Sequence, residues 1–189
     1  KIYKNSINLD YYEGLLLWQR GNKKKATEIF ETVAKDKPST EVLLQIGRAY
    51  NAQGNHQKAQ GFLEQALELG QEDAIVHHQL GVAFFRQDKT EEALENFFKA
   101  VEIFYHFPKS HAFIGEILYR MGLFENAAEA WELAASMAPK DASTRRWLVK
   151  VYSENLGQPK KAAHHLEALP DQSKEIVVVS GLPRSGTQS

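Results

Sequence analysis

One stretch decides the fold of this chain: QIGRAYNAQGNHQKAQGFLEQA, residues 45–66. Three further stretches follow the same pattern, at residues 13–30, 79–100 and 113–134. A glycine recurs in them every 33 or 34 residues, as Gly14, Gly47, Gly81 and Gly115. Self-similarity at a fixed period of this length is typical of a protein built from stacked repeats.

The same four stretches share an alanine and a large apolar residue at fixed distances from the glycine. The alanine comes twelve residues after the glycine, as Ala26, Ala59, Ala93 and Ala127. The large residue comes four positions later, as Phe30, Leu63, Phe97 and Trp131. A glycine that faces an alanine of the next helix would let two antiparallel helices pack closely, with the large residue filling the same face one turn on. The pattern therefore predicts four helix-turn-helix repeats.

The repeat boundaries carry turn and stop signals. Between the two helices of each repeat lies a residue that tolerates the left-handed conformation: Gly21, Gly54, Asp88 or Gly122. Pro38 and Pro139 follow the second helix of the first and fourth repeats, where proline prevents further extension. A fifth, less regular repeat has Val149 at the glycine position and one extra residue before its turn. We expect a terminal repeat whose helices pack less closely.

This combination resembles the tetratricopeptide repeat family, whose unit is a helix-turn-helix of about 34 residues. The resemblance implies an all-α fold, a right-handed helical solenoid over residues 1–170. Its repeats would be residues 7–39, 40–73, 74–107, 108–141 and 142–170. In this family the first helix of each repeat lines a concave groove that binds an extended peptide or another protein. The resemblance therefore implies a protein-binding module.

The family's groove positions map onto mostly basic and aromatic side chains in this sequence. They are Tyr11, Trp18, Arg48, Asn51, His78, Phe85, Arg86, Tyr119, Arg120, Arg146 and Lys150. Arginine pairs well with carboxylates, and rigid aromatic rings provide contact area at little entropic cost. An acidic extended peptide is therefore the expected ligand. The alternative is that these side chains are solvated or pack between repeats.

A further groove position distinguishes this chain from one subclass of the family. Some arrays hold chaperone C-terminal carboxylates with lysine and asparagine at positions 5 and 9 of the first helix. Position 5 here carries Tyr11, Leu44, His78, Ala112 and Arg146. That carboxylate clamp is therefore not expected.

Composition narrows the class of function. A net charge of -1 and a pI of about 6.7 give no global attraction to nucleic acid or to a membrane. The absence of cysteine excludes disulfides, thiolate catalysis and cysteine-based zinc sites. The adjacent pairs His77-His78 and His164-His165 point about 100° apart on a helix, so no metal site is expected. No apolar run approaches the roughly 20 residues of a membrane span. The absence of cysteine is compatible with a cytoplasmic protein, which is the expectation here.

The last stretch, EIVVVSGLPRSGTQS at residues 175–189, departs from the repeat pattern. Residues 171–175 form a short polar linker. Residues 176–179 are a continuous β-branched run, typical of a buried strand in a parallel sheet. A glycine-punctuated loop follows directly, an arrangement that often holds nucleotide phosphates. Thr187 stands where P-loop nucleotide-binding proteins have lysine, which disfavours ATP or GTP hydrolysis.

The loop string GLPRSGT resembles the phosphosulfate-binding loop of sulfotransferases. The resemblance implies that residues 176–189 begin a truncated α/β domain of a parent sulfotransferase. Such an enzyme transfers a sulfuryl group from 3′-phosphoadenosine-5′-phosphosulfate (PAPS) to an acceptor hydroxyl and leaves 3′-phosphoadenosine-5′-phosphate (PAP). Arg184 would be the catalytic residue, and it would hold the cofactor with Ser185, Gly186 and Thr187.

Two interpretations of the tail remain open. The chain as given lacks the rest of such a domain, so it would bind no cofactor and would not be catalytic. Gln188 also departs from the small hydroxyl residue that is usual in the loop. The alternative is a non-catalytic scaffold or adaptor, whose C-terminal strand and loop only cap the solenoid.

Overall fold

The structure is a computed structural model that describes residues 6–70 and 72–170. Within these ranges the chain folds into ten α-helices, so the all-α prediction is confirmed there. The helices are α1 Ser6–Gln19, α2 Lys23–Asp36, α3 Thr40–Ala52, α4 His56–Glu68, α5 Ala74–Phe85, α6 Thr90–Ile103, α7 Pro108–Arg120, α8 Phe124–Met137, α9 Ala142–Lys150 and α10 Pro159–Glu167. The predicted strand at residues 176–179 and the loop after it lie outside the described residues.

The chain divides into two compact units, Lys1–Tyr105 and His106–Ser189. In the first unit α1 pairs with α2, α3 with α4 and α5 with α6, while α2 also packs against α3 and α4 against α5. In the second unit α7 pairs with α8 and α9 with α10, and α8 also packs against α9. Each unit is thus a stack of helix pairs. Among the described helices, none combines the length and apolarity needed to cross a bilayer.

The repeated glycines lie against the large apolar residues of the partner helix. The pairs are Gly14–Phe30, Gly47–Leu63, Gly81–Phe97 and Gly115–Trp131. At each glycine, an added Cβ would come closer than 3.0 Å to the large side chain, a separation that real Cβ atoms do not reach. The large residues are almost completely buried.

The nearest neighbour of each repeated glycine is therefore the large residue, which the sequence places one turn beyond the alanine. The alanines are buried in the same helix pairs. Side chains on a helix lean toward its N-terminus. A long side chain one turn beyond the alanine therefore reaches back over the glycine, and the missing Cβ makes room for it.

The turns within the repeats have the predicted conformation. Gly21, Gly54 and Gly122 have φ values of 83°, 78° and 78°, and Asp88 has a φ of 59°. After the turn, a backbone N–H returns to the preceding helix, as where Asn55 donates to the Tyr50 carbonyl at 2.9 Å. The predicted helix stops are confirmed as well. Helices α2 and α8 end two residues before Pro38 and Pro139.

The extra residue of the fifth repeat is accommodated by a π-helical turn, Val151–Asn155, that continues α9 directly. The Leu156 N–H donates to the Val151 carbonyl at 3.0 Å, which is the wider hydrogen bond of a π-turn. Val151 stays in the core of the second unit. At the glycine position Val149 has a side chain of its own, and the facing Leu166 is only half-buried.

Candidate functional site

Two predicted groove residues of the first unit connect neighbouring helices. The Tyr11 hydroxyl on α1 donates to Glu41 on α3 at 2.7 Å. Burial and this carboxylate raise the pKa of Tyr11 well above its usual value. The Asn51 side chain on α3 donates to the backbone and side-chain oxygens of Gln79 on α5, at 2.9 and 3.1 Å. Both side chains therefore connect neighbouring repeats.

Two others of the first unit are buried. His78 and Phe85 on α5 are each 5% exposed. The His78 ring lies 5.6 Å from the ring of Phe97 on α6. Neither side chain presents much area to a ligand.

The remaining groove positions of the first unit are more open, and they lie on α1, on α3 and directly after α5. Trp18 is half-buried, with the Lys23 ammonium 5.5 Å from its ring centre. Arg48 is half-buried and donates to Gln45 at 3.4 Å. Arg86 is exposed at the end of α5, its guanidinium 5.8 Å from the ring centre of Phe85.

In the second unit, the predicted residues Tyr119 and Lys150 meet on a cluster of aromatic rings. Trp131 and Trp147 are stacked with ring centres 5.1 Å apart and an interplanar angle of 14°. The Tyr119 ring lies 5.8 Å from Trp131 and 5.4 Å from Trp147. The Lys150 ammonium lies 5.5 Å from the Tyr119 ring and 5.4 Å from the Trp147 ring. Both separations are within the range of cation–π attraction.

The other two predicted residues of the second unit also lie on α7 and α9. Arg146 lines the same surface as Trp147 and Lys150. Arg120 is exposed and forms an ion pair with Glu116 at 2.7 Å, one helical turn away. We call Tyr119, Arg146, Trp147 and Lys150 the basic-aromatic face.

Trp147 is the member of this face that the sequence-based mapping omits. The family's groove positions select Arg146, the residue directly before it. A signal for Trp147 is nevertheless present in the spacing. Ser143, Trp147 and Lys150 are separated by four and three residues, which places them on one face of a helix.

Trp147 also lines a pocket of about 370 Å³. Residues of α7, among them Lys109, Ala112 and Phe113, form one wall, and Trp131 of α8 contributes to the lining. The Trp131 indole N–H donates to the Ala112 carbonyl at 3.0 Å, which satisfies the only polar atom of this buried side chain.

The start of α9 forms the remaining rim of the pocket. The Asp141 carboxylate caps this helix: it accepts from the Ser143 N–H at 3.1 Å and from the Thr144 hydroxyl at 2.6 Å. Burial by itself would raise the pKa of Asp141, but the hydrogen bonds from Thr144 and Ser143 outweigh it and hold the pKa below its usual value. The carboxylate is therefore ionised at neutral pH and is committed to the cap.

The predicted cofactor residues Arg184, Ser185, Gly186 and Thr187 lie outside the described residues, so the structure does not test PAPS binding. Over residues 6–70 and 72–170, no three His, Asp or Glu side chains form a group that could hold a metal ion. The buried His77 and His111 occupy packing positions. His77 Nδ1 lies 3.0 Å from the amide oxygen of Asn96.

Two solved structures illustrate the likeness of this fold to known proteins. A crystal structure of MamA superposes with a TM-score of 0.73 at 22% identity, covering 89% of this chain and 97% of MamA. MamA residues 41-end from Desulfovibrio magneticus RS-1 superpose with a TM-score of 0.74 at 18% identity, covering 92% of this chain and 96% of that one. At these identities the likeness concerns the fold.

Two curated relatives match parts of the chain. The BBSome complex member BBS4 of Bos taurus is 25% identical over 157 residues, which is 82% of this chain and 30% of BBS4. The peroxisomal targeting signal receptor of Candida albicans is 26% identical over 111 residues, which is 56% of this chain and 19% of the receptor. This chain thus spans less than a third of the length of either relative.

The family is shown by profile matches in the part of the chain where the repeat register is most regular. Two tetratricopeptide repeat profiles match residues 39–106 and 78–142, and together they span more than half of the chain. The same region carries three of the four glycine and large-residue pairs and the left-handed turns at Gly54, Asp88 and Gly122. Sequence family and helix packing agree, and this chain belongs to the tetratricopeptide repeat proteins.

Proposed function

We propose that this chain is a non-catalytic interaction module that binds an acidic, extended segment of another protein at the basic-aromatic face of its second unit. The observation that carries the proposal is the placement of the Lys150 ammonium over the rings of Tyr119 and Trp147. The backbone of a peptide whose carboxylate contacts Lys150 would lie across the rings of Tyr119 and Trp147. Rigid rings provide contact area at little entropic cost.

The electrostatics of the face support an acidic ligand. Lys150 is exposed, and within the described part of the chain no carboxylate lies within 4 Å of its ammonium group. The chain as a whole carries a net charge of -1, so it does not attract anions at long range. Any attraction is therefore local to cationic surfaces such as this face.

The relatives support a protein-binding role. BBS4 is named as a member of a complex, and the Candida protein is named as a receptor for a targeting signal. We extend to this chain only the general role, which is recognition of another protein or of a peptide segment.

The proposal is tested by fluorescence polarisation with a labelled peptide that contains six glutamates between glycine-serine ends. A peptide with glutamine in place of glutamate is the neutral control. We expect Lys150→Glu to weaken binding of the acidic peptide by about tenfold or more, because an attraction becomes a repulsion at the contact. Lys160→Glu makes the same charge change at an exposed position on α10 and should alter binding less than about twofold. Equal loss in both variants would reject a specific face.

A second candidate function rests on the sequence of the tail. We propose a parent PAPS-dependent sulfotransferase, because the β-branched run at residues 176–179 is followed directly by the loop string GLPRSGT. The comparisons with known proteins give this parent no support. Calorimetry with PAP on a longer natural protein that contains this chain would test it. PAP binding that Arg184→Ala removes would support the enzyme, and no binding by the wild-type protein would reject it.

We also propose that the natural protein is located in the cytoplasm. Fractionation of cells that express the natural protein would test it. Recovery with the membrane or secreted fraction would contradict it.

A further inference from the structure

We infer that the second unit binds its ligand at two points: a large apolar side chain enters the pocket beside Trp147, and an acidic residue nearby in the peptide meets Lys150. This inference rests on the proposed function and deepens it. It specifies a composite motif, in which an aromatic or bulky aliphatic residue and a carboxylate lie one to three positions apart.

The pocket has the size and lining for an apolar side chain. Its volume of about 370 Å³ lies at the lower end of the range for ligand pockets, about 300–1,000 Å³. Ala112, Phe113 and Trp147 contribute apolar surface to its walls, and the fully buried Trp131 lies behind them. The Trp131 indole N–H is already bonded to the Ala112 carbonyl, so this ring offers no donor to a polar ligand group.

One small residue at the edge of the pocket distinguishes this repeat from the others. Ala112 stands at the position of the first helix where the other repeats carry the larger side chains Tyr11, Leu44, His78 and Arg146. A larger side chain at this position would project into the space that Ala112 now borders. Ala112 therefore leaves more room at this position than the corresponding residue of any other repeat.

The charges around the pocket favour a carboxylate next to the apolar group. Of the two acidic residues on the rim, Glu116 is paired with Arg120 at 2.7 Å and Asp141 is committed to the cap of α9. Of the basic residues at the site, Lys109 and Lys150 have no carboxylate within 4 Å in the described ranges. The attraction that remains for a ligand is therefore to negative charge.

The geometry sets the spacing of the motif. Trp147 lines the pocket and also the surface that carries Lys150 and Arg146. The Lys150 ammonium is 5.4 Å from the Trp147 ring centre. An extended peptide advances about 3.3 Å per residue. A carboxylate one to three residues from the apolar side chain can therefore reach Lys150 while that side chain occupies the pocket.

The test uses labelled peptides that differ at one position. Each has three glutamates, preceded two residues earlier by phenylalanine, leucine or alanine, and binding to the whole chain is measured by fluorescence polarisation. We expect the phenylalanine peptide to bind at least about tenfold more tightly than the alanine peptide, because it buries a ring that alanine lacks. Leucine should be intermediate.

Pocket-filling variants localise the effect. Ala112→Leu introduces the residue that repeat 2 carries as Leu44, and it should abolish the preference for phenylalanine while leaving binding of the alanine peptide within about twofold. Ala138→Leu narrows the pocket from the end of α8 and should act in the same direction. Ala163→Leu adds the same bulk at an exposed position of α10 and should change nothing. Circular dichroism and thermal unfolding establish that each variant is folded.

The outcomes separate this inference from the proposed function. A phenylalanine preference that both filling variants remove supports the two-point site. Glutamate peptides that bind through Lys150 without any preference for phenylalanine overturn the inference and leave the proposed function standing. A fourth peptide combines phenylalanine with three glutamines; if it binds and no glutamate peptide does, the two-point inference is overturned, because the ligand then needs no carboxylate. Absence of binding by every peptide overturns both.

Discussion

At the residue scale, the glycines of this chain differ in their physical role. Gly47 has no Cβ, and the Leu63 side chain of the partner helix packs into the space that a Cβ would occupy. Gly54 supplies a left-handed backbone conformation in open surroundings. Gly61 lies inside α4 with no heavy atom within 4 Å of an added Cβ, so neither reason applies to it. Replacement by alanine should therefore change the stability of the fold differently at each of these glycines.

Gly47→Ala and Gly61→Ala should change stability in opposite directions. In Gly47→Ala the added Cβ overlaps the Leu63 side chain, and we expect a loss of about 2 kcal/mol in the free energy of unfolding. In Gly61→Ala the helix gains propensity without a clash, and we expect a gain of about 0.5–1 kcal/mol. Urea unfolding followed by circular dichroism measures both. Equal effects would show that packing against Leu63 does not decide the first position.

Asp141 should make a pH-dependent contribution to stability. Its folded-state pKa is lowered, so its ionised cap stabilises the fold above about pH 4 and loses this effect as the pH falls through the folded-state pKa. Asp141→Asn keeps a capping oxygen but cannot titrate. We expect the difference in unfolding free energy between wild type and Asp141→Asn to shrink between about pH 4 and pH 2. A difference that stays constant over this range would contradict the assignment.

At the scale of the helical elements, the turns and the π-turn show how local chemistry holds the repeat register. The left-handed residue ends the first helix of each pair and lets the second begin two residues later. In the fifth repeat the chain has one residue too many before this turn. The wider turn at Val151–Asn155 absorbs it, so that Val151 and Tyr152 remain buried. The insertion changes the hydrogen bonding of one turn and leaves the helix pair intact.

Asp88→Gly should stabilise the first unit. Asp88 is the described non-glycine residue with a positive φ, 59°, and it is exposed. Because glycine adopts this conformation without a steric cost, we expect a gain of about 0.5–1 kcal/mol in the free energy of unfolding. The matched control is Gly54→Ala, at a φ of 78° with nothing near an added Cβ, which should cost about 1 kcal/mol. Thermal and urea unfolding measure both changes, and a loss in Asp88→Gly would mean that its side chain stabilises the turn.

At the scale of the whole molecule, function depends on how a nearly neutral chain distributes its charges and rings. Predicted groove residues of the first unit, such as Tyr11, Asn51 and His78, are occupied in packing. In the second unit Tyr119 and Lys150 meet on one surface with Trp147. The two units therefore differ in what they offer a ligand, although they are built from the same repeat.

Binding of the acidic peptide should depend on salt through this surface. The Debye screening length falls from about 10 Å at 0.1 M salt to about 3 Å at 1 M, so attractions between exposed charges weaken as the salt concentration rises. We expect the affinity for the six-glutamate peptide to fall by about tenfold between 0.05 and 0.5 M sodium chloride. Lys150→Gln should flatten this dependence, and the glutamine peptide should show little of it. A wild-type affinity that does not respond to salt would contradict a role for the ammonium group.

The sequence alone was enough to predict the helix pairs, the turns and the helix stops. These features depend on neighbours within one period: a glycine or aspartate at φ above zero, a proline two residues after a helix, and a glycine repeated every 33 or 34 residues. The family resemblance identified candidate groove positions, but it could not distinguish a residue that binds a ligand from one that packs against a neighbouring helix. That distinction depends on which atoms of other helices lie nearby.

Only the tertiary structure decided what each repeated position does. It placed the glycines against the large residues, because side chains lean toward the N-terminus of their helix. The residue spacing within one helix does not determine how two helices align. It also showed that Ala112 borders a pocket and that Trp147 joins this pocket to Lys150. These neighbours come from α7, α8 and α9, and their meeting follows from packing. The sequence therefore determined the repeat, and the packing of helices determined the surface on which the repeat can act.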